Sequence, residues 1–205
     1  MASQISAADV AKLRRETGAG MMDCKAALRD AGGDFDKART LLRERGLADA
    51  AKRKGREATD GLVLAYLHAP TPGLPPRIGV LVEMTTETDF VAKTEDMTTL
   101  TRDIAMHVAA AKPVYLSLED VPPDVIETEG ELARKKVEGK PDHVVEKAVV
   151  GAVKKFAKQF VLLDQPWVRD EKQTIGQLVD SYASKVGENV AVRRFVRYEV
   201  AESLD

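Results

Sequence analysis

The chain has a single cysteine, Cys24, among 205 residues. No disulfide can form within it, and this cysteine content fits a reducing compartment. Aromatic residues make up only 5%, too few for a base-stacking platform to be a first reading. No apolar run approaches the roughly 20 residues of a membrane span. The opening Met-Ala-Ser-Gln-Ile-Ser has no basic leader ahead of an apolar core, the mark of a secretory signal. A cytoplasmic protein with no membrane association is therefore expected. Neither sign of charge prevails: 31 Lys and Arg face 33 Asp and Glu, a formal net charge of −2. Overall basicity thus argues for no direct nucleic-acid partner.

Motifs that carry chemistry are also missing. No Gly-rich phosphate loop is present, so the chain is not expected to hold a nucleotide itself. No Cys or His cluster has metal-ligand spacing. Ser117, Ser181 and Ser184 lack a nucleophile-elbow context. Neither an enzyme nor a bound cofactor is expected.

What the chain does have is a change of period. The first fifty residues read as three short helices. Ser6-Ala7-Ala8-Asp9 is a capping-box pattern, with Val10 and Leu13 following on one face. Thr17-Gly18-Ala19-Gly20 breaks that helix, its glycines permitting positive φ. A second helix carries Met21, Met22, Cys24 and Leu28 as far as Gly32-Gly33, with Cys24 expected to be packed. Asp34 caps a third, bearing Phe35, Ala38, Leu41 and Leu42, which Gly46 is expected to end. The division expected is a three-helix module over 1–48, a charged helical linker over 49–59 and an α+β core over 60–205. Lys52, Arg53, Lys54 and Arg56 in the linker read as a solvated face.

From residue 61 strands take over. Residues 62–67 and 77–82 read as two strands joined by the Pro-rich loop 69–76. Met97, Leu100, Ile104, Val108 and Ala111 then form an amphipathic stripe stopped by Pro113. His107, close to that stripe, is expected to be packed or hydrogen-bonded. Residues 114–116 read as extended. A helix opens near Glu119 and reaches Gly139, and another opens at Pro141 with Val145, Val149, Ala152, Phe156 and Phe160 on one side. Residues 161–168 read as extended, 174–186 as a helix ended by Gly187, and 190–200 as a last strand. The fold class expected is α+β: an antiparallel sheet with helices packed on it, behind the three-helix module.

The stretch Glu83-Met84-Thr85-Thr86-Glu87-Thr88-Asp89-Phe90-Val91-Ala92-Lys93 falls where the second strand gives way to helix. Two readings compete there. In one, Thr86 or Thr88 caps the helix and Phe90 folds back against it as a staple. In the other, the junction presents Phe90 to a partner.

Residues 17–28, Thr17 to Leu28, and 87–93, Glu87 to Lys93, resemble the two signature segments of the elongation factor Ts family. Ile104-Ala105-Met106-His107-Val108-Ala109-Ala110, Asp164-Gln165-Pro166-Trp167-Val168 and residues 186–194, Val186 to Arg194, agree in order with further family segments. The resemblance covers almost the whole chain. It implies a guanine-nucleotide exchange factor of translation elongation that binds elongation factor Tu, GDP-bound and nucleotide-free. The N-terminal module is similar to a ubiquitin-associated fold and would dock on the partner's GTP-binding domain through Met21, Met22 and Lys25. Thr88, Asp89, Phe90 and Val91 match the family segment associated with dislodging Mg2+, its phenylalanine wedged beside the nucleotide. His68 matches an interface histidine, although the Pro-rich loop here separates it from Arg77. Long-form members have a duplicated core; this chain has no repeat, like the short form, which implies a homodimer. The alternative reading, from Lys52–Arg56 and the lysines at 147–158, is a ribosome- or RNA-associated binding protein.

Overall fold

The computed structural model describes residues 5–17, 19–71 and 73–203. Gly18 and Pro72, read from sequence as turn residues, lie outside them. Two compact units meet in the chain at Arg56/Glu57.

The first unit is three helices: α1 (Ala7–Thr17), α2 (Met21–Asp30) and α3 (Phe35–Lys54). Ser6 and Asp9 exchange bonds across the first turn of α1, Asp9 N–H donating to Ser6 Oγ and Ser6 N–H to the Asp9 carboxylate, both at 3.1 Å. The Asp34 carboxylate caps α3, accepting from the N–H groups of Asp36 and Lys37. Val10, Leu13, Cys24, Ala27, Leu28, Ala38 and Leu42 form the unit's core. Two expectations change here. Gly20 precedes α2 with φ −58, so it supplies no left-handed turn. Gly46 does not end α3, which runs on to Lys54. A mid-helix glycine costs only about 1 kcal/mol against alanine, and the Ala, Lys and Arg residues after it are strong helix formers. Residues 49–54 of the charged segment are therefore part of α3, while Gly55 caps its end and Arg56 follows outside it.

The second unit is α+β. Strands β1 (Asp60–His68), β2 (Ile78–Thr86) and β5 (Ala191–Glu199) form an antiparallel sheet in the order β1-β2-β5. β2 runs four residues past the apolar segment that marked it in sequence. Met84 and Thr86 continue the alternation, each fully buried, so Glu83–Thr86 are strand and the junction lies at Glu87–Thr88. Gly61 in β1 (φ +153) permits close pairing here: a Cβ would lie 2.0 Å from the Met84 carbonyl oxygen.

A four-residue helix, α4 (Asp89–Ala92), leads into α5 (Glu95–Ala111). Then come α6 (Pro123–Lys136) and α7 (Asp142–Phe160), packed as a hairpin. α6 stops one turn short of Gly139, which is left-handed at φ +78. Residues 161–168 are not one extended stretch. Leu162–Asp164 form a 3-10 turn, and β3 (Pro166–Trp167) pairs with β4 (Asp170–Thr174), a strand too polar to show a strand pattern. α8 (Ile175–Val186) has a Thr174–Gln177 capping box and ends at Gly187.

One face of the sheet presents Val80, Val82, Met84 and Val192 to Met97, Ile104 and Val108 of α5 and to Ile175 and Val179 of α8. The other face carries Val63 and Leu67 of β1, Leu81 of β2 and Val196 and Tyr198 of β5, all exposed. Ala65 and Val196 flank Leu81, and Leu67 and Tyr198 flank Gly79.

His107 is fully buried on α5, packed and hydrogen-bonded as its position in the sequence implied. Its Nε2 donates to Gln165 Oε1 at 2.9 Å, and its Nδ1 accepts the Val168 N–H at 3.3 Å. Gln165 Nε2 donates in turn to the Gln159 carbonyl at 2.8 Å. Burial holds the imidazole below its ordinary pKa, with the Gln165 bond opposing more weakly. The unfolded chain therefore takes up a proton near the ordinary value of 6.5 that the native imidazole refuses. Stability is fully present above that pH and falls as pH drops below it. The melting temperature should decline from pH 7 to pH 5.5, and His107→Gln, which cannot titrate, should flatten that slope.

Candidate functional site

Phe90 is the most exposed large apolar residue described, at 82% relative exposure. It occupies the second position of α4, a helix too short to be stable by itself. Its neighbour Val91 packs on the core and Ala92 is buried. The turn is thus anchored on one side and offers Phe90 on the other. The staple reading fails for Phe90, since so exposed a ring packs against nothing that could hold it.

Thr86 and Thr88 are not side-chain caps either. Thr88 stands at the N-cap position with extended backbone, yet its side chain makes no cap bond. Its hydroxyl donates to Glu188 Oε1 at 2.6 Å and its N–H to Glu188 Oε2 at 3.1 Å. The buried Thr86 hydroxyl donates to the Thr88 carbonyl at 2.8 Å. Sequence reasoning missed Glu188 as a partner of this turn, because 100 residues separate the two. The placement of Val186–Arg194 among the family-like segments was the one signal that could have pointed there.

Asp89 opens α4, where a carboxylate is favoured by the exposed N–H groups of the first turn. Lys93 one turn on donates to it at 2.5 Å. That hydrogen bond and the ammonium charge hold the Asp89 carboxyl below its ordinary pKa, so the group is ionised at neutral pH. The Lys93 side chain is mostly exposed and that of Asp89 half exposed, so the ion pair lies at the surface where a partner can reach it.

The other residues singled out from sequence lie elsewhere. Met21, Met22 and Lys25 are all exposed on α2, with Met22 at 73%. Neither methionine is in the helical core, which Cys24, Ala27 and Leu28 supply from the same helix. His68 is exposed at the end of β1, and the Tyr66 hydroxyl lies 3.1 Å from its Nδ1. The Pro-rich loop beyond it is closed by the Arg77 N–H donating to the His68 carbonyl at 2.9 Å. Within the second unit, His68 and Phe90 follow opposite ends of the β1–β2 hairpin: β1 ends at His68, while α4 follows the end of β2. The structure therefore does not bring them together.

Among the described residues no cluster of three or more His, Cys, Asp or Glu could hold a metal ion, and no helix is long and apolar enough to cross a membrane. The site has an exposed aromatic ring, an adjacent ionised carboxylate and rigid support beneath them. Such a site suits recognition of another macromolecule.

A family model described as Elongation factor TS matches residues 49–202. Elongation factor Ts of Frankia casuarinae is 50% identical over 203 residues, covering 98% of this chain and all of that protein. Elongation factor Ts of Desulforamulus reducens is 51% identical over 205 residues, 99% of this chain and 92% of the relative. That of Moorella thermoacetica is 51% identical over 202 residues, 98% and 97%. On this agreement, which spans nearly its full length, the chain belongs to the elongation factor Ts family.

Proposed function

We propose that this translation elongation factor is a guanine-nucleotide exchange factor for elongation factor Tu. It would act in the cytoplasm by binding, without making or breaking a covalent bond. The observation that carries the reading is Phe90, an apolar ring held almost wholly in solvent on an anchored turn. Thr88, Asp89, Phe90 and Val91 form the element that loosens the partner's Mg2+ and with it GDP. Mg2+ bridges phosphate oxygens and protein ligands, so disturbing its shell weakens the nucleotide. Asp89, ionised beside the ring, adds a negative charge near the phosphates. A partner that prefers the nucleotide-free state must weaken nucleotide binding by the factor by which nucleotide weakens it. Exchange is therefore accelerated in both directions, and GTP excess sets the net direction.

The first unit, up to about residue 56, acts as a separate docking module. Met21 and Met22 offer an adaptable apolar contact and Lys25 a charge on the same helix. His68 is a further, peripheral contact. Release of fluorescent GDP from elongation factor Tu, with and without the chain, tests the reading. Acceleration at micromolar chain is the expected result, and unchanged release would refute it.

The active form is a homodimer. The sheet face away from the helices exposes Val63, Leu67, Leu81, Val196 and Tyr198, with the Glu83–Arg194 ion pair at one end, and apolar side chains grouped in this way mark an interaction surface. Face-to-face packing of two such sheets would bury it in an isologous interface.

A further inference from the structure

The Thr88–Val91 turn is gripped from the far end of the chain. Gly187, left-handed at φ +77, turns the backbone out of α8, and the next two residues meet the β2–α4 junction. Glu188 accepts two bonds from Thr88, at 2.6 and 3.1 Å. The Asn189 N–H donates in the opposite direction, to Glu87 Oε1, at 2.6 Å. Two carboxylates and two backbone N–H groups thus clasp reciprocally across adjacent residues. The turn is tied at its other end as well. The Thr94 hydroxyl donates to the Val91 carbonyl at 2.8 Å and lies 3.0 Å from the Tyr182 hydroxyl of α8. Thr94 has one proton, so Tyr182 is the donor of that second bond.

We infer that Glu188 is a positioning residue for exchange: its grip on Thr88 fixes the turn from which Phe90 projects before the partner arrives. The inference rests on the exchange reading of Phe90. Val91 and Ala92 seat the turn on the core, and Glu188 holds the residue that opens it. A four-residue helix does not hold its own shape, and an 82% exposed side chain has almost no packing to steer it. Charged acceptors make the stronger hydrogen bonds, and a contact site ordered in advance spares the ordering cost at binding. Glu188 belongs to no hydrophobic cluster, and without it Thr88 can still bond to water, so the fold should survive its loss.

The test is GDP release from elongation factor Tu, titrated with the full chain. Glu188→Ala should raise the half-maximal concentration about tenfold, with a plateau rate within about twofold of wild type. Glu188→Gln should recover most of this, since its amide can still accept from the Thr88 N–H and donate to the hydroxyl. In a Phe90→Ala background, Glu188→Ala should add less than about a twofold change, because a grip that acts through the ring has nothing left to place. Chymotrypsin cleavage after Phe90, on the chain alone, should be about tenfold faster in Glu188→Ala, reporting local opening of the turn. Should Glu188→Ala lose its circular-dichroism signature, Tyr182→Phe serves. It keeps the ring packing, loses the bond to Thr94 and should cost about threefold, again only when Phe90 is present. Full additivity with Phe90→Ala, or a folded variant equal to wild type, overturns the inference alone. A wild-type chain that fails to accelerate release overturns the exchange reading and the inference with it.

Discussion

Replacing Phe90 by alanine is expected to slow chain-stimulated GDP release about 30- to 150-fold while leaving the melting temperature within about 2 °C of wild type. Buried aromatic anchors at interfaces cost roughly 2–3 kcal/mol when truncated to alanine, which is that range of rates or affinities. The fold should be indifferent because the free chain gains so little from the ring: at 82% exposure it contributes almost no buried area. Ala92 and Val91, which anchor the turn on the core, are untouched. Fluorescent GDP release and a thermal melt on the same sample measure both halves. A large drop in melting temperature with wild-type exchange from the folded fraction would make Phe90 a stabilising residue and remove it from the partner contact. The test also separates the ring from its neighbour. Asp89 keeps its bond to Lys93 in the variant, so any exchange that survives measures what the charge does without the wedge.

The second large effect is expected at Leu81. It lies on the central strand of the bare sheet face, paired with Ala65 on one side and Val196 on the other. Leu81→Lys should turn a dimer into a monomer at micromolar concentration, read by size-exclusion chromatography with light scattering. A two-fold interface repeats every substitution, so one change places two ammonium groups against apolar surface. At a few kcal/mol for each desolvated charge, dimerisation should weaken about 1000-fold or more. The monomer should still fold, since Leu81 points away from α5 and α8 and is already half exposed. A wild-type chain that runs as a monomer, or a variant that stays dimeric, would take the interface away from this face. Exchange by the monomeric variant then decides whether one Phe90 works alone or needs its symmetry mate.

Most of the fold could be read from local pattern. The capping box at Ser6, the Pro113 stop and the alternation of β1 and β5 are short-range signals whose physics is contained in a few residues. The misreadings share a cause: a weak local signal was outweighed by its surroundings. Gly46 is a helix breaker only when its neighbours do not favour helix. Glu83–Thr86 carry too few apolar residues to read as strand, yet all four pair with β1 and the first three also with β5, which keeps them in the sheet. Asp170–Thr174 is strand only because Pro166–Trp167 lies beside it.

The site divides the same way. The residues at 87–93, their order and their likeness to a family segment were all present in the sequence by itself. So were the three-helix module, the two strands joined by a Pro-rich loop and the lack of any nucleotide or metal motif, because these depend on residue type and spacing. Which way Phe90 points did not depend on them. A threonine before an acidic, aromatic turn serves equally well as a cap over a buried ring or as a strut under an exposed one. The choice fell to Glu188 and Tyr182, 100 and 88 residues away from the groups they hold. Hydrogen bonds at that separation exist only after β5 has paired with β2 and α8 has packed on the sheet. Tertiary structure alone therefore turned the ring into solvent and left one sheet face bare, since both follow from which surfaces the rest of the chain covers.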